Sequence, residues 1–570
     1  MSLRPPDTEI PLVNDYGNFP TQPLPIQRPT RPESFTGVRA HGRSESAGVA
    51  RAGGLVAMAG IVSRATGFVR TLVVAGVLGT AAVGDAYNGV NNLPNMVYEL
   101  LLGGVLASAV LPLLTRARRH GRRHSREFTQ RVLVAAGLAL VAVTVATVLC
   151  APVLVRVFVA APDQRRLATW LAYLLLPQIF FYGVTVVVSA VLNVRDSFAA
   201  AAWAPVVNNV IVGLTCGVFV ALPGPVTLTP ATMTTAQLLT LGIGTTAGIA
   251  GQAVWVLEAL RRTGFRWSWR VRPLPYTWRP VRAGMPILAW LVVYAAISQI
   301  GVSVTMRVAF DHGGVSIYTY AELLFQVPYG ILAASLLTVL MPRISRAAAL
   351  GHHRAVIADL SRGARYLATG LIPAAMASSL LGPSFVALVF TGRVDAEATR
   401  LIGVAVACSA FGLVPFALVM LQMRILYAYN DTRTPTLINV VMVGTKVAAL
   451  AVTAWLCTGP AVIVMLSVSG SLAYTVGAVA GQLLLRRRFG LLGFTAVAAT
   501  VHRVAWATAA AAAATLGAIT LSHTVIHTPT LERVAGLGAG AAAGLAIFLL
   551  TARLIGISEL RSIRAVLARA

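Results

Sequence analysis

Two arginines, Arg64 and Arg70, sit inside the apolar run GIVSRATGFVRTLVVAGVLG (60–79). A permanent cation costs roughly 2.5–3.5 kcal/mol at the centre of a bilayer, so something polar must answer it there. On a helix Ser63, Gly67 and Arg70 fall at i, i+4 and i+7, which is one face, with Arg64 on its flank. The next apolar run opens with DAYNGVNNLPNMVYE and sets Asp85, Asn88, Asn92, Asn95 and Glu99 at i, i+3, i+7, i+10 and i+14. That is one polar stripe. Facing lipid it would strand amides and carboxylates without partners, so it faces protein or a wet cavity.

The plainest reading is that Asp85 and Glu99 neutralise Arg64 and Arg70 in a structural helix contact. The sharper reading is a cavity whose cations bind an anionic substrate, because guanidinium matches phosphate oxygens bidentately and keeps its charge at any pH. Pro94 and Asn95 are expected to loosen the second helix at mid-span, as broken helices do at transporter sites. Lys446 is the only lysine of the chain and lies mid-run in VVMVGTKVAAL. It either snorkels or pairs within the bundle, or it forms a coupling or second-lobe site with Glu322 and Ser316. Arg307, Glu322 and Arg424 lie nearer the ends of their runs and read as anchors, Glu322 least firmly.

No HExxH, GxSxG, P-loop or DDxxD is present, so neither an enzyme constellation nor a metal site is expected. Without a nucleotide site or cofactor, energy must come from the substrate's own concentration, the membrane potential, or a Na+ or H+ gradient. The potential supplies about 2.3 kcal/mol per charge per 100 mV.

The frame that positions these groups has 570 residues, of which 57% are hydrophobic and 11% charged. Its mean hydropathy is +0.75, so it is an all-α polytopic membrane protein. A net charge of +27 could suggest nucleic acid, but the arginines fall mainly in short segments between apolar runs and report topology instead. Cys150, Cys216, Cys408 and Cys457 have no CxxC spacing and read as small packing residues. The first 50 residues, with PLPIQRPTRPE, cannot bury a core and lack a signal-peptide pattern; they are expected to form a disordered cytoplasmic tail.

Charged and Pro/Gly-rich breaks divide the rest into fourteen spans: 54–78, 86–114, 131–159, 167–191, 202–222, 238–260, 284–309, 316–342, 364–390, 399–427, 435–457, 460–485, 502–522 and 533–555. Alternate loops (115–126, 261–282, 343–354 and 486–490) are strongly basic, whereas 79–84, 222–237 and 522–530 contain no Lys or Arg. The positive-inside rule therefore places both termini in the cytoplasm, with Arg165, Arg166 and Arg393 as exceptions on the other side. VLNVRDSFAAAAWAPVVNNV (191–210) also resembles ILYAYNDTRTPTLINVV (425–441), aligning Asp196 with Asp431, Pro205 with Pro435 and Asn209 with Asn439. An offset of six spans predicts two parallel six-helix lobes with a substrate site between them near the midplane. The last two spans fall outside the repeat.

SRATGFVRTLVVAGVLGTAAVGDAYNGVNNLPNMVYELLLGG resembles the first two helices of the MurJ (MviN) family of lipid II flippases, which show S-R-x-x-G-x-x-R, then D-A, then L-P-N. FYGVTVVVSAVLNVRDSFAAAAWAPVVNN and YNDTRTP are similar to that family as well, so the likeness runs over spans one to twelve. The resemblance implies a MOP-superfamily exporter that carries undecaprenyl-diphosphate-linked peptidoglycan precursor, lipid II, from inner to outer leaflet of the bacterial cytoplasmic membrane by alternating access. It assigns 51–282 to an N-lobe with its basic linker and 283–488 to a C-lobe. Residues 489–570 become a helix pair whose groove holds the lipid tail, followed by a short cytoplasmic tail. Carried over by position, Ser63, Arg64, Arg70, Asp85 and Asn95 match the family's cavity residues, and Asn88, Asn92 and Glu99 share their stripe. Many members have arginine at the positions of Tyr98 and Leu323 and glutamate at that of Gly103. The anion binding left to Arg64 and Arg70 is correspondingly larger, with Lys446 as a candidate helper.

The rival readings are a flippase for another lipid-linked oligosaccharide and a MATE-like drug/ion antiporter. From another class comes a membrane scaffold that recruits cell-wall synthesis proteins through the cytoplasmic loops and tails. An antiporter for cationic drugs calls for acidic and aromatic groups, and a scaffold has no use for a buried polar stripe.

Overall fold

The computed structural model describes residues 41–102, 122–225, 227–265, 267, 279–490 and 493–560, and among them there is no strand. Contacts divide the chain into 1–51 and 52–570. Residues 41–50, expected in the disordered tail, are helical instead and belong to α1 (His41–Leu78). Once a helix exists, each Ala, Glu or Arg added to it gains a hydrogen bond for one residue fixed. Residues 1–40 lie outside the described residues.

The N-lobe continues with α2 (Ala82–Leu102), α3 (Arg122–Leu149), α4 (Ala151–Phe158), α5 (Pro162–Leu175), α6 (Gln178–Val194), α7 (Phe198–Ala221) and α8 (Thr235–Arg262). The C-lobe comprises α9 (Arg279–Asp311), α10 (Val315–Pro328), a π-helical turn (Tyr329–Ala333), α11 (Ala334–Ala349) and α12 (His353–Val389). It goes on through α13 (Ala396–Ser409), α14 (Leu413–Ala428), α15 (Arg433–Leu456) and α16 (Pro460–Phe489), and α17 (Phe494–Val525) and α18 (Pro529–Leu554) follow. Thirteen stretches among the described residues are long and apolar enough to cross a membrane. The second expected span, 86–114, is described only as far as Leu102, in α2. That helix runs through Pro94 without a break, although proline there frees one backbone carbonyl.

Helix starts follow local chemistry. Thr234 and Gln237 close a capping box on α8, Asp395 accepts the Ala398 N–H at 2.8 Å, and α5 and α16 begin at proline. Within the N-lobe α7 packs on α8 and α2 on α5; within the C-lobe α15 packs on α16 and α9 on α15. The α17–α18 pair lies along α12, where Ala507, Ala511 and Ala552 let the backbones approach closely.

The internal repeat is real, with one shift of register. The broken span α5–α6 runs from 162 to 194 and its counterpart α13–α14 from 396 to 428, both interrupted near their middles. Each ends in the same turn, because the Ser197 N–H bonds the Leu192 carbonyl and the Asp431 N–H bonds the Leu426 carbonyl. Asp196 (φ 62°) and Asn430 (φ 56°) occupy the left-handed position, so Asp196 pairs with Asn430 rather than with Asp431. Asn209 and Asn439 do correspond. Asn209 donates to the Ser63 carbonyl and Thr66 Oγ1 of α1 at 3.2 and 3.0 Å. Asn439 donates to the Tyr294 carbonyl and Ser298 Oγ of α9 at 3.0 and 2.9 Å. In the turn before α15, burial alone would raise the Asp431 carboxyl; the Thr434 N–H and hydroxyl and the Arg488 guanidinium outweigh it and hold the group below the ordinary carboxylate range.

The lobes meet where the loops are uncharged or nearly so. Leu78, Val83, Tyr87 and Phe158 share a buried core with Met306, Phe310 and Val315 of the C-lobe. Two of the arginines that break the loop-charge rule are explained at this end. Arg165 donates to the Val159 and Ala160 carbonyls at 3.0 and 2.6 Å, closing the end of α4. Arg393 closes the end of α1, its N–H on the Gly76 carbonyl at 2.9 Å and its guanidinium on that of Val77 at 3.3 Å. Cations at helix C-termini satisfy orphan carbonyls and the helix dipole, so these two report capping rather than orientation. Gly79 (φ 73°) makes the Arg393 contact possible, since a Cβ there would lie 2.6 Å from the Arg393 carbonyl oxygen. Gly79→Ala is expected to destabilise the protein by about 1–2 kcal/mol from the left-handed backbone alone. Thermal unfolding of the purified protein checks this; an unchanged midpoint would mean the 390–395 loop is not docked on α1.

Candidate functional site

α1 passes between the lobes and is bonded to both. The face carrying Ser63, Gly67 and Arg70 turns to the N-lobe, where Ser63 engages Asn209 through its backbone carbonyl and Gly67 approaches the Asn209 amide. Arg70 is half-buried on this side, and its charge acts on Tyr87, Tyr182 and Cys216. On the flank, the exposed Arg64 guanidinium donates to the Gly330 carbonyl in the π-helical turn of the C-lobe. A π turn widens the helix and turns carbonyls away from their usual partners, and such turns recur at functional sites.

The polar stripe on α2 divides into two parts. Asp85, only 1% exposed, accepts the backbone N–H of Ser316 at 2.7 Å. Its carboxylate thereby sits at the N-terminus of α10, where helix dipole and orphan N–H groups favour an anion. Asn88 donates to Ser316 Oγ and to Tyr320 Oη, both at 3.0 Å. Gly89 lets α2 close against the Phe310 ring of α9. Further along, Asn92 is half-buried, and Asn95 and Glu99 are exposed. Glu99 accepts from Gln299 Nε2 of α9 at 3.1 Å. Burial thus falls steadily along the stripe, from a closed end beside the uncharged loops to an opening toward the basic ones.

This arrangement overturns the neutralising helix contact. Among the described residues neither Asp85 nor Glu99 pairs with Arg64 or Arg70, and Arg70 donates no hydrogen bond and forms no ion pair. Removing a charge from water without a partner is costly, and Arg70 is half-buried with none among the described residues.

The C-lobe supplies two more cations. Lys446 lies ten residues from the nearer end of α15. That is about 15 Å, beyond the reach of a lysine side chain, so it does not snorkel. Its ammonium donates to Tyr318 Oη at 3.3 Å, lies 5.5 Å from the ring centroid, and feels the charge of Glu322. Glu322 also accepts from Gln326 at 2.8 Å. Ser316 is not near this cluster but in the Asp85 contact. Arg424, expected to be an anchor, lies with Arg64 near Tyr329 of the π-helical turn. Only the fold brings α14 to that place, so its spacing in the chain carried no signal. Arg307 is an anchor, holding Asp311 at 3.1 Å and the Val157 carbonyl at 3.2 Å. Tyr98 packs on Tyr182 with ring centroids 6.0 Å apart. Leu323 is half-buried, and Gly103 lies outside the described residues. No cluster of metal-ligating side chains occurs among the described residues.

With this geometry in hand, residues 74–533 match the family model described as Lipid II flippase MurJ. A probable lipid II flippase MurJ of Rhizobium meliloti (strain 1021) is 26% identical over 396 residues, covering 68% of this chain and 72% of the relative. The lipid II flippase MurJ of Burkholderia cenocepacia is 25% identical over 393 residues, 67% of this chain and 73% of its own length. Among solved structures, a lipid II flippase MurJ in an inward closed conformation superposes with a TM-score of 0.68 at 17% identity, over 88% of this chain and 99% of that one. An inward-facing multidrug resistance MATE family transporter of the MOP superfamily gives 0.58 at 16%, over 76% and 96%. At such identities the structural likenesses speak for the fold.

Proposed function

The chain belongs to the MurJ family of lipid II flippases, and from that premise we propose that it carries lipid II from the inner to the outer leaflet of the bacterial cytoplasmic membrane by alternating access. The observation that carries the site reading is Arg70: an intramembrane guanidinium with no partner among the described residues, beside an opening rimmed by Arg64, Asn95 and Glu99. A diphosphate supplies the oxygens that the Arg70 guanidinium lacks, and Arg64, Arg424 and Lys446 bring further positive charge.

With the basic loops in the cytoplasm, the lobes are closed on the outer side and open inward. The diphosphate-sugar headgroup enters from the cytoplasmic side while the polyprenyl tail stays in lipid beside α17 and α18. The lobes then rock about α1, breaking the Asp85 contact and opening the outer side. Membrane potential acts directly on the charged headgroup, so no nucleotide is consumed. Differential affinity of the two states for the headgroup drives the cycle, since equal affinity shifts nothing.

The direct test is depletion of the protein in its host, followed by measurement of lipid II in each leaflet. Accumulation on the cytoplasmic leaflet is expected. An unchanged distribution in a strain with no redundant flippase would remove the reading. The exposed Arg64 and the partly buried Arg70, Arg424 and Lys446, against one exposed carboxylate, Glu99, count against a carrier of cationic drugs.

A further inference from the structure

Around Arg70 the side chains are aromatic rather than ionic. Its charge acts on the Tyr182 phenol of α6, and the Tyr182 ring in turn packs against the Tyr98 ring of α2, 6.0 Å between centroids and tilted by 35°. Both rings are half-exposed. Tyr98 stands three residues after Asn95 and one before Glu99, so Asn95, Tyr98 and Glu99 share the face of α2 that lines the opening. Glu99 is held from across the opening by Gln299. In sequence along the wall, then, come one cation, two aromatic faces, and an amide–carboxylate rim.

We propose that Tyr98 and Tyr182 form a stacking platform for the first sugar ring of the substrate, with the diphosphate on Arg70 and the sugar's polar substituents on Asn95 and Glu99. The order matches the chemistry, because in a diphosphate-linked glycolipid the pyranose is bonded directly to the phosphate. The C–H face of a pyranose carries slight positive charge and packs on the negative face of an aromatic ring. Its hydroxyl and amide groups need donors and acceptors at the rim, which an amide and a carboxylate supply together. Tyr98 thus adds a shape-based grip on the sugar to the charge-based grip of Arg70 on the anion. The platform selects the glycosylated lipid over the bare prenyl diphosphate.

This inference rests on the flippase reading, and two ligands separate the failures. Binding to the purified full-length protein in nanodiscs is measured with lipid II and with undecaprenyl diphosphate, which has the same tail and diphosphate but no sugar. Tyr98→Leu is expected to weaken lipid II binding about two- to tenfold while leaving undecaprenyl diphosphate binding in place. Tyr98→Phe, which keeps the ring, restores it, and Tyr182→Leu repeats the selective loss. Arg70→Gln is expected to weaken both ligands alike. Retained undecaprenyl diphosphate binding by Tyr98→Leu serves as the check that the variant is folded. Equal loss of both ligands in Tyr98→Leu, or loss of neither, would overturn the platform. If native protein binds neither ligand, the flippase reading itself fails.

Discussion

Arg70→Gln is expected to abolish growth of a strain that depends on this protein, while the variant accumulates in the membrane at normal levels. The two halves of that expectation have one cause. Arg70 is half-buried and, among the described residues, bonds to nothing, so the fold draws no stability from its charge. Replacing it by a shorter neutral amide removes a desolvation cost and breaks no hydrogen bond or ion pair among the described residues. Function loses a charge-assisted contact to the diphosphate, about 1.5–3 kcal/mol, or roughly ten- to a hundredfold in headgroup affinity. Arg70→Lys is expected to be partly active, because an ammonium keeps the charge but not the planar fork that grips two phosphate oxygens. Complementation, with a blot for protein level, decides. Normal growth with both variants would remove Arg70 from the substrate site.

Asp85→Ala is expected to shift the conformational equilibrium rather than to weaken substrate binding at the start of the cycle. The carboxylate closes the gap between α2 and the N-terminus of α10, 231 residues away in the chain. A charged hydrogen bond at a helix N-terminus contributes on the order of 1–2 kcal/mol. Its loss should raise the fraction open at the outer side by about five- to thirtyfold. Asp85→Asn should lie between, since an amide oxygen still accepts the Ser316 N–H but without the charge. Spin labels on cysteines at the exposed positions Ala81 and His312, in a background lacking the four native cysteines, report the separation of the lobes at this end. A new long-distance population is expected in Asp85→Ala. An unchanged distribution would mean that the apolar core around Phe310 and Val315 closes this side unaided.

These experiments address the two halves of a stripe that looked uniform in sequence. Asp85, Asn88, Asn92, Asn95 and Glu99 repeat at helical spacing, and spacing could say only that they share a face. Their separate duties follow from what faces them: the α10 N-terminus at one end and an opening at the other. The same limit applies to Lys446, whose Tyr318 partner comes from another helix, and to Arg424, whose place near Tyr329 and Arg64 depends on how α14 packs. Arg165 and Arg393 looked like exceptions to a topological rule because helix capping is invisible until the helix ends are located.

What the sequence determined by itself is whatever depends on solvent and on short spacing. Apolar runs of spanning length, loop charge, the helical phase of Arg64 and Arg70, the repeat carried by Asn209 and Asn439, and the family's S-R-x-x-G-x-x-R pattern are local quantities, set within a few residues along the chain. What only the tertiary structure decided is which polar groups neutralise one another and which stay free. That depends on contacts between residues more than 200 positions apart, such as Asp85 with Ser316 and Arg64 with Gly330, and in a medium of low dielectric those contacts outweigh any local preference. The fold engages both acids with partners other than Arg70, and that choice leaves Arg70 without a partner among the described residues.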